Sequence, residues 1–149
     1  MRTTKATTAQ PPVVPAALGL LGTARHDIAE AMTATTAAER YAAAHLGALR
    51  AAAAVLAVRT RPSPRQRPRN VWTLLPEVAP ELTEWSAFFA SGAKKRAAAE
   101  AGLTRAVTPR EADDLLRDVQ TFLALVETTL GLDHQPVFPH LAALVSRAS

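Results

Sequence analysis

Between Ala112 and Leu130 the apolar residues Ala112, Leu115, Val119, Phe122, Val126 and Leu130 recur at spacings of 3 or 4, which places them on one side of a helix. Asp113, Asp114, Arg117, Asp118 and Gln120 fall on the other side, with Asp113 and Arg117 spaced as an i,i+4 ion pair. Thr108-Pro109-Arg110-Glu111 in front of this run is a capping box with proline in the first turn, and Gly131-Leu132 behind it is a Schellman-type stop. Thr36-Ala37-Ala38-Glu39 is a second capping box, opening a helix that runs to about Val58. In that helix Ala42, Leu46, Leu49, Ala53 and Leu56 read as the core stripe, and Gly47 with the many alanines predicts a close helix crossing.

The weaker patterns fill in the rest. A helix from Ala16 to about Met32 offers Leu18, Leu21, Ile28 and Met32 to a core. Asn70 caps a short helix, Val71 to Leu75, which Pro76 closes. A further helix from Pro80 to Gly102 carries Leu82, Trp85 and Phe89 on one face. Trp72 and Phe88 lie off that stripe and are expected over an inter-helix groove or a subunit interface. A last short helix spans about Pro139 to Arg147. Residues 1–15 are too polar to bury and read as a disordered tail. Pro62, Pro64 and Pro68 exclude a helix between Arg59 and Arg69, leaving an exposed loop over 59–69. The expected architecture is a single all-α domain over 16–149, an up-and-down bundle of four to five helices.

Composition narrows the class. Ile28 is the lone isoleucine and aromatic residues make up 5% of the 149, so there is little from which to build a sheet. With no cysteine, neither a disulfide framework nor a thiolate metal site is available. The longest unbroken apolar stretch, Ala51 to Val58, is far shorter than the roughly 20 residues of a membrane span. The polar, threonine-rich start lacks a signal-peptide core. A cytoplasmic protein without membrane association is expected.

Charge adds one feature. Arg59, Arg61, Arg65, Arg67 and Arg69 lie within one short segment, and removing these five from the net charge of +4 leaves −1. Guanidinium groups on an extended segment bind phosphates bidentately, and counterion release drives such binding, so this loop is the candidate nucleic-acid contact. The competing reading is a solvated linker, and no aromatic residue interrupts the loop to stack on bases. Lys94, Lys95 and Arg96 point in different directions around a helix and read as a solvated face. His134 and His140 have no carboxylate or cysteine at metal spacing, so no metal site is expected. His45 reads as a partly buried helix residue rather than a general base. The aspartates at 113, 114 and 118 occupy a polar helix face. No glycine-rich phosphate loop or nucleophile elbow occurs, and no cofactor or catalytic constellation is expected.

Three segments together carry a family resemblance: Glu39-Arg-Tyr-Ala-Ala-Ala-His-Leu-Gly-Ala-Leu-Arg50, Arg69-Asn-Val-Trp-Thr-Leu-Leu75, and Val107-Thr-Pro-Arg-Glu-Ala-Asp-Asp-Leu-Leu-Arg117. Over residues 16–131 the chain resembles an actinobacterial branch of the HEPN superfamily (higher eukaryotes and prokaryotes nucleotide-binding). The resemblance implies a bundle of four or five helices, frequently dimeric, that engages RNA or nucleotides. Many such proteins are ribonucleases, often toxins, with an active arginine followed about four to six residues later by a histidine. Arg69-Asn70 resembles the start of that motif, but Leu74 stands where the histidine would be. Arg40 and His45 have the spacing, yet they lie in the second helix and are rotated apart on it by about 140°. Two readings therefore stand: a non-catalytic RNA- or nucleotide-binding module using the arginine loop, and a helical module that binds a protein partner or dimerises. An active ribonuclease comes third.

Overall fold

A computed structural model of the chain describes residues 14–60 and 70–139. Within them lie α1 (Pro15–Thr33), α2 (Ala37–Arg59), α3 (Val71–Val78), a 3₁₀ turn (Pro80–Leu82), α4 (Thr83–Ser91), α5 (Ala93–Glu100) and α6 (Pro109–Thr129), and no strand. The architecture is the expected all-α bundle. The expected tail, the loop arginines beyond Arg59 and the helix after Pro139 lie outside the described residues.

Helix α2 is the centre of the bundle and packs against α1, α6, α5 and α3. Its buried face carries Tyr41, Ala44, His45, Ala48, Ala51, Ala52 and Val55, whereas Ala42, Leu46, Leu49, Ala53 and Leu56 are only half-buried. The expected stripe is therefore rotated from the true one. The close crossing itself is present. A Cβ at Gly47 would lie 3.1 Å from Ile28 Cγ1 and 3.3 Å from the Ala24 carbonyl, so α1 approaches α2 where small side chains let it. The alanines form the core face because they permit this approach, and the leucines are left toward the rim. By length and apolarity α2 resembles a membrane span, but half of the relevant stretch is buried inside the bundle. In α1, Leu21 and Ile28 are buried as expected, Met32 is half-buried and Leu18 is exposed.

Helix α6 follows the sequence closely. All six stripe residues are buried, and the Thr108/Glu111 capping box closes in both directions. At Gly131 (φ +73) and Gly102 (φ +83), the left-handed backbone that glycine tolerates ends a helix with paired bonds, Leu132 N–H to the Glu127 carbonyl and Leu103 N–H to the Ala98 carbonyl. At the start of α2 the box is half-formed: Thr36 Oγ1 accepts from the Glu39 amide, but the Glu39 carboxylate accepts from the Thr36 hydroxyl rather than from the backbone amide.

Two expected helix boundaries move. Pro76 does not close α3, which continues to Val78. Lacking an N–H, Pro76 leaves the Trp72 carbonyl without its helical donor, and the Ser86 hydroxyl of α4 donates to that carbonyl instead. The expected helix from Pro80 to Gly102 is divided into the 3₁₀ turn, α4 and α5. The second break falls at Gly92, where a Cβ would sit 2.6 Å from Tyr41 Oη. Beneath it, Trp72, Trp85, Phe89 and Phe122 form an aromatic cluster, with Phe89 and Phe122 centroids 5.0 Å apart. Trp72 is thus a core residue and not a surface anchor, while Phe88 remains exposed.

Candidate functional site

The arginine loop connects the end of α2 to the start of α3. Its first arginine is held at the bundle: Arg59 Nη1 donates to the Val78 carbonyl and to Glu81 Oε2, each at 3.1 Å. At the far end Asn70 caps α3, its side chain accepting from the Trp72 amide at 2.7 Å. Arg61, Arg65, Arg67 and Arg69 lie outside the described residues. Charge is unevenly divided along the chain. All thirteen acidic residues fall within the described residues, with ten basic ones, a net of −3; the other seven basic residues include these four loop arginines.

Within the bundle most of the ten cations are already engaged. Arg25 pairs with Glu127, Arg40 with Asp113, Arg50 with Asp27, and Lys95 with Glu111. Arg117 pairs with Asp114 rather than with Asp113, which the i,i+4 spacing had indicated, because Asp113 is drawn to Arg40 at 2.6 Å. Lys95 and the Thr108 amide together hold the Glu111 carboxyl down at about 2. Lys94 projects to solvent while Lys95 reaches across to α6, so the basic triplet is not one patch.

The Arg40 and His45 pair does not assemble. Arg40 donates to the Ala31 and Ala34 carbonyls, each at 3.0 Å, and so caps α1 while bridging to α6. His45 is fully buried among Tyr41, Trp72 and Phe89, and its Nε2–H donates to the Phe89 carbonyl at 2.8 Å. Burial lowers the affinity of this imidazole for a second proton. The Arg40 guanidinium is thus shared among two carbonyls and Asp113, and the His45 ring is closed off from solvent.

The sequence did not reveal two buried carboxylates. Asp27 on α1 accepts two bonds from Arg50 on α2, both at 3.0 Å, yet burial outweighs the arginine and raises its pKa. Glu127 on α6 is completely buried. It accepts from Arg25 Nη2 at 2.8 Å, from His134 Nδ1 at 2.6 Å and from the Gln135 amide at 3.1 Å. Burial pushes the Glu127 carboxyl up, but these three donors prevail and hold it below the ordinary carboxylate range. Arg25 lies 102 residues away, and nothing local signals the contact beyond an acid set among Phe122, Leu123 and Val126 on an apolar face. Beside this hub is a groove of about 520 Å³ lined by Arg117, Gln120, Thr121, His134, Pro136 and Val137 among others. Among the described residues no three histidines or acids converge as a metal site.

A family model described as SAV_6107-like HEPN matches residues 31–127. No curated protein and no solved structure matches the chain.

Proposed function

The chain belongs to the SAV_6107-like HEPN family, and on that premise we propose that it is a non-catalytic module, working in the cytoplasm, that binds RNA or nucleotides through its arginine loop. The observation that carries this reading is the separation of charge. The described bundle holds three more acids than bases, whereas the 61–69 segment carries four arginines and no acid. A polyanion is repelled by the first and attracted by the second. Arg59 is committed to Glu81, so its part is to anchor the loop, and the four that follow are its phosphate contacts.

The non-catalytic part rests on His45. A general base must come within hydrogen-bond reach of the proton it takes, and this ring lies under the aromatic cluster with its Nε2 committed to a backbone carbonyl. Self-association belongs to the same proposal. Trp72 is withdrawn from the interface first expected, but exposed Leu18 and Phe88 and the half-buried leucines of α2 leave apolar surface for a second copy.

Fluorescence-anisotropy titration of a single-stranded RNA tests the reading against wild type and the variant carrying Arg61→Gln, Arg65→Gln, Arg67→Gln and Arg69→Gln. Binding by wild type and none by the variant, at unchanged thermal stability, is expected. Equal affinity removes the loop. A cleavage gel run alongside is expected to show intact RNA; cleavage lost in His45→Ala would overturn the non-catalytic reading.

A further inference from the structure

The Glu127 hub orients an exposed imidazole. Because Glu127 is ionised and accepts from Nδ1 at 2.6 Å, the proton of neutral His134 sits on Nδ1. Its Nε2 has no bonding partner among the described residues, and the side chain is 53% exposed beside the groove. A fully buried carboxylate, neutralised behind the ring by Arg25, thus fixes one tautomer and one ring direction in a residue that otherwise faces solvent. From α6 the groove is lined by Arg117 and Gln120, both able to donate, and by Thr121, whose hydroxyl donates to the Arg117 carbonyl; Pro136 and Val137 continue the lining from the segment that carries His134.

We propose that this groove takes a phosphate group, with the Arg117 guanidinium and the Gln120 side-chain amide donating to its oxygens and His134 Nε2 accepting from its hydroxyl. The site is separate from the arginine loop and does not depend on it. Positioning comes from Glu127, which touches no ligand but holds the imidazole in place. Asp114, already paired with Arg117, and Asp133, next to His134, put negative charge at the rim. The affinity for one phosphate is therefore on the order of millimolar.

The test is an amide NMR titration of the full chain with inorganic phosphate, adenosine 5′-monophosphate and adenosine. Phosphate and the monophosphate are expected to move the amides of Gln120, Thr121, His134 and Gln135, and adenosine to leave them in place. Equal shifts from adenosine would mean that the groove reads a base, and would overturn the proposal. His134→Asn and Arg117→Gln should each weaken phosphate binding by about tenfold or more, the effect of one lost bond to a charged group. Glu127→Gln, if folded, should weaken it while thermal stability also falls. Unchanged phosphate shifts in both His134→Asn and Arg117→Gln would overturn the site. The quadruple loop variant should keep the groove shifts in full. Their loss there would place the phosphate on the loop and refute the groove, whereas their persistence with RNA binding abolished separates the two sites.

Discussion

Replacing Ser86 by alanine removes the hydroxyl that serves the Trp72 carbonyl. Pro76 stands four residues after Trp72 and has no N–H to offer, so in the variant a buried acceptor loses its donor. Leaving such a group unpaired costs about 1–3 kcal/mol. For a domain of this size each kcal/mol lowers the melting temperature by roughly 2–4 °C. The decisive comparison is the same substitution in a Pro76→Ala background, where residue 76 regains an amide and can close the ordinary helical bond to Trp72. There the cost of Ser86→Ala should shrink to about 0.5 kcal/mol or less, a coupling of about 1–2 kcal/mol, within the range for residues sharing one bond network. Urea denaturation of wild type, both single variants and the double variant measures this directly. Equal costs of Ser86→Ala in the two backgrounds would refute the claim that serine replaces the missing proline amide.

Other consequences can be measured on the same material. Val119→Asp buries an unpaired charge on the fully buried face of α6 and should abolish cooperative unfolding, whereas Leu116→Asp, at a half-buried position, should leave a folded but weakened protein; circular dichroism melts distinguish them, and equal damage would contradict the burial pattern. His45 is buried neutral with a depressed pKa, so the unfolded chain binds its proton first, and stability falls as pH drops below the ordinary value of 6.5. That loss should be smaller in His45→Gln when urea midpoints at pH 7.5 and 5.5 are compared, and an identical pH dependence would show that His45 does not contribute to it. Light scattering at micromolar concentration should give a homodimer mass, and a strict monomer would remove self-association from the account.

How far the sequence could be read depends on what each pattern encodes. In α6 large apolar residues alternate with charged ones, so the buried face is explicit in the spelling, and its caps are local hydrogen bonds between residues three apart. In α2 nearly every position is apolar or alanine, and side-chain size misleads. The core face is the one small enough for α1 to approach, with Gly47 against Ile28, which leaves Leu46 and Leu56 outside. Pro76 marked a helix end only because the rescue from Ser86 comes from another helix. Glu127 illustrates the same limit at longer range. Its partners Arg25 and His134 come from α1 and from the segment after α6, and only the fold brings them to one carboxylate. The run of arginines over 59–69 is explicit in the composition, whereas the tie of Arg59 to Glu81 is not, because only the fold brings Glu81 beside it.

The central claim is that four arginines between Arg61 and Arg69 carry the contact with RNA, and the salt dependence of binding tests it most directly. Four phosphate contacts on a single strand give a slope of about −2.8 for log K against log salt, a loss of roughly 1.7 decades in affinity between 50 and 200 mM. Wild type should show that slope, and Arg65→Gln with Arg67→Gln should roughly halve it. A slope near zero in wild type, or one that the double variant leaves unchanged, would contradict the account.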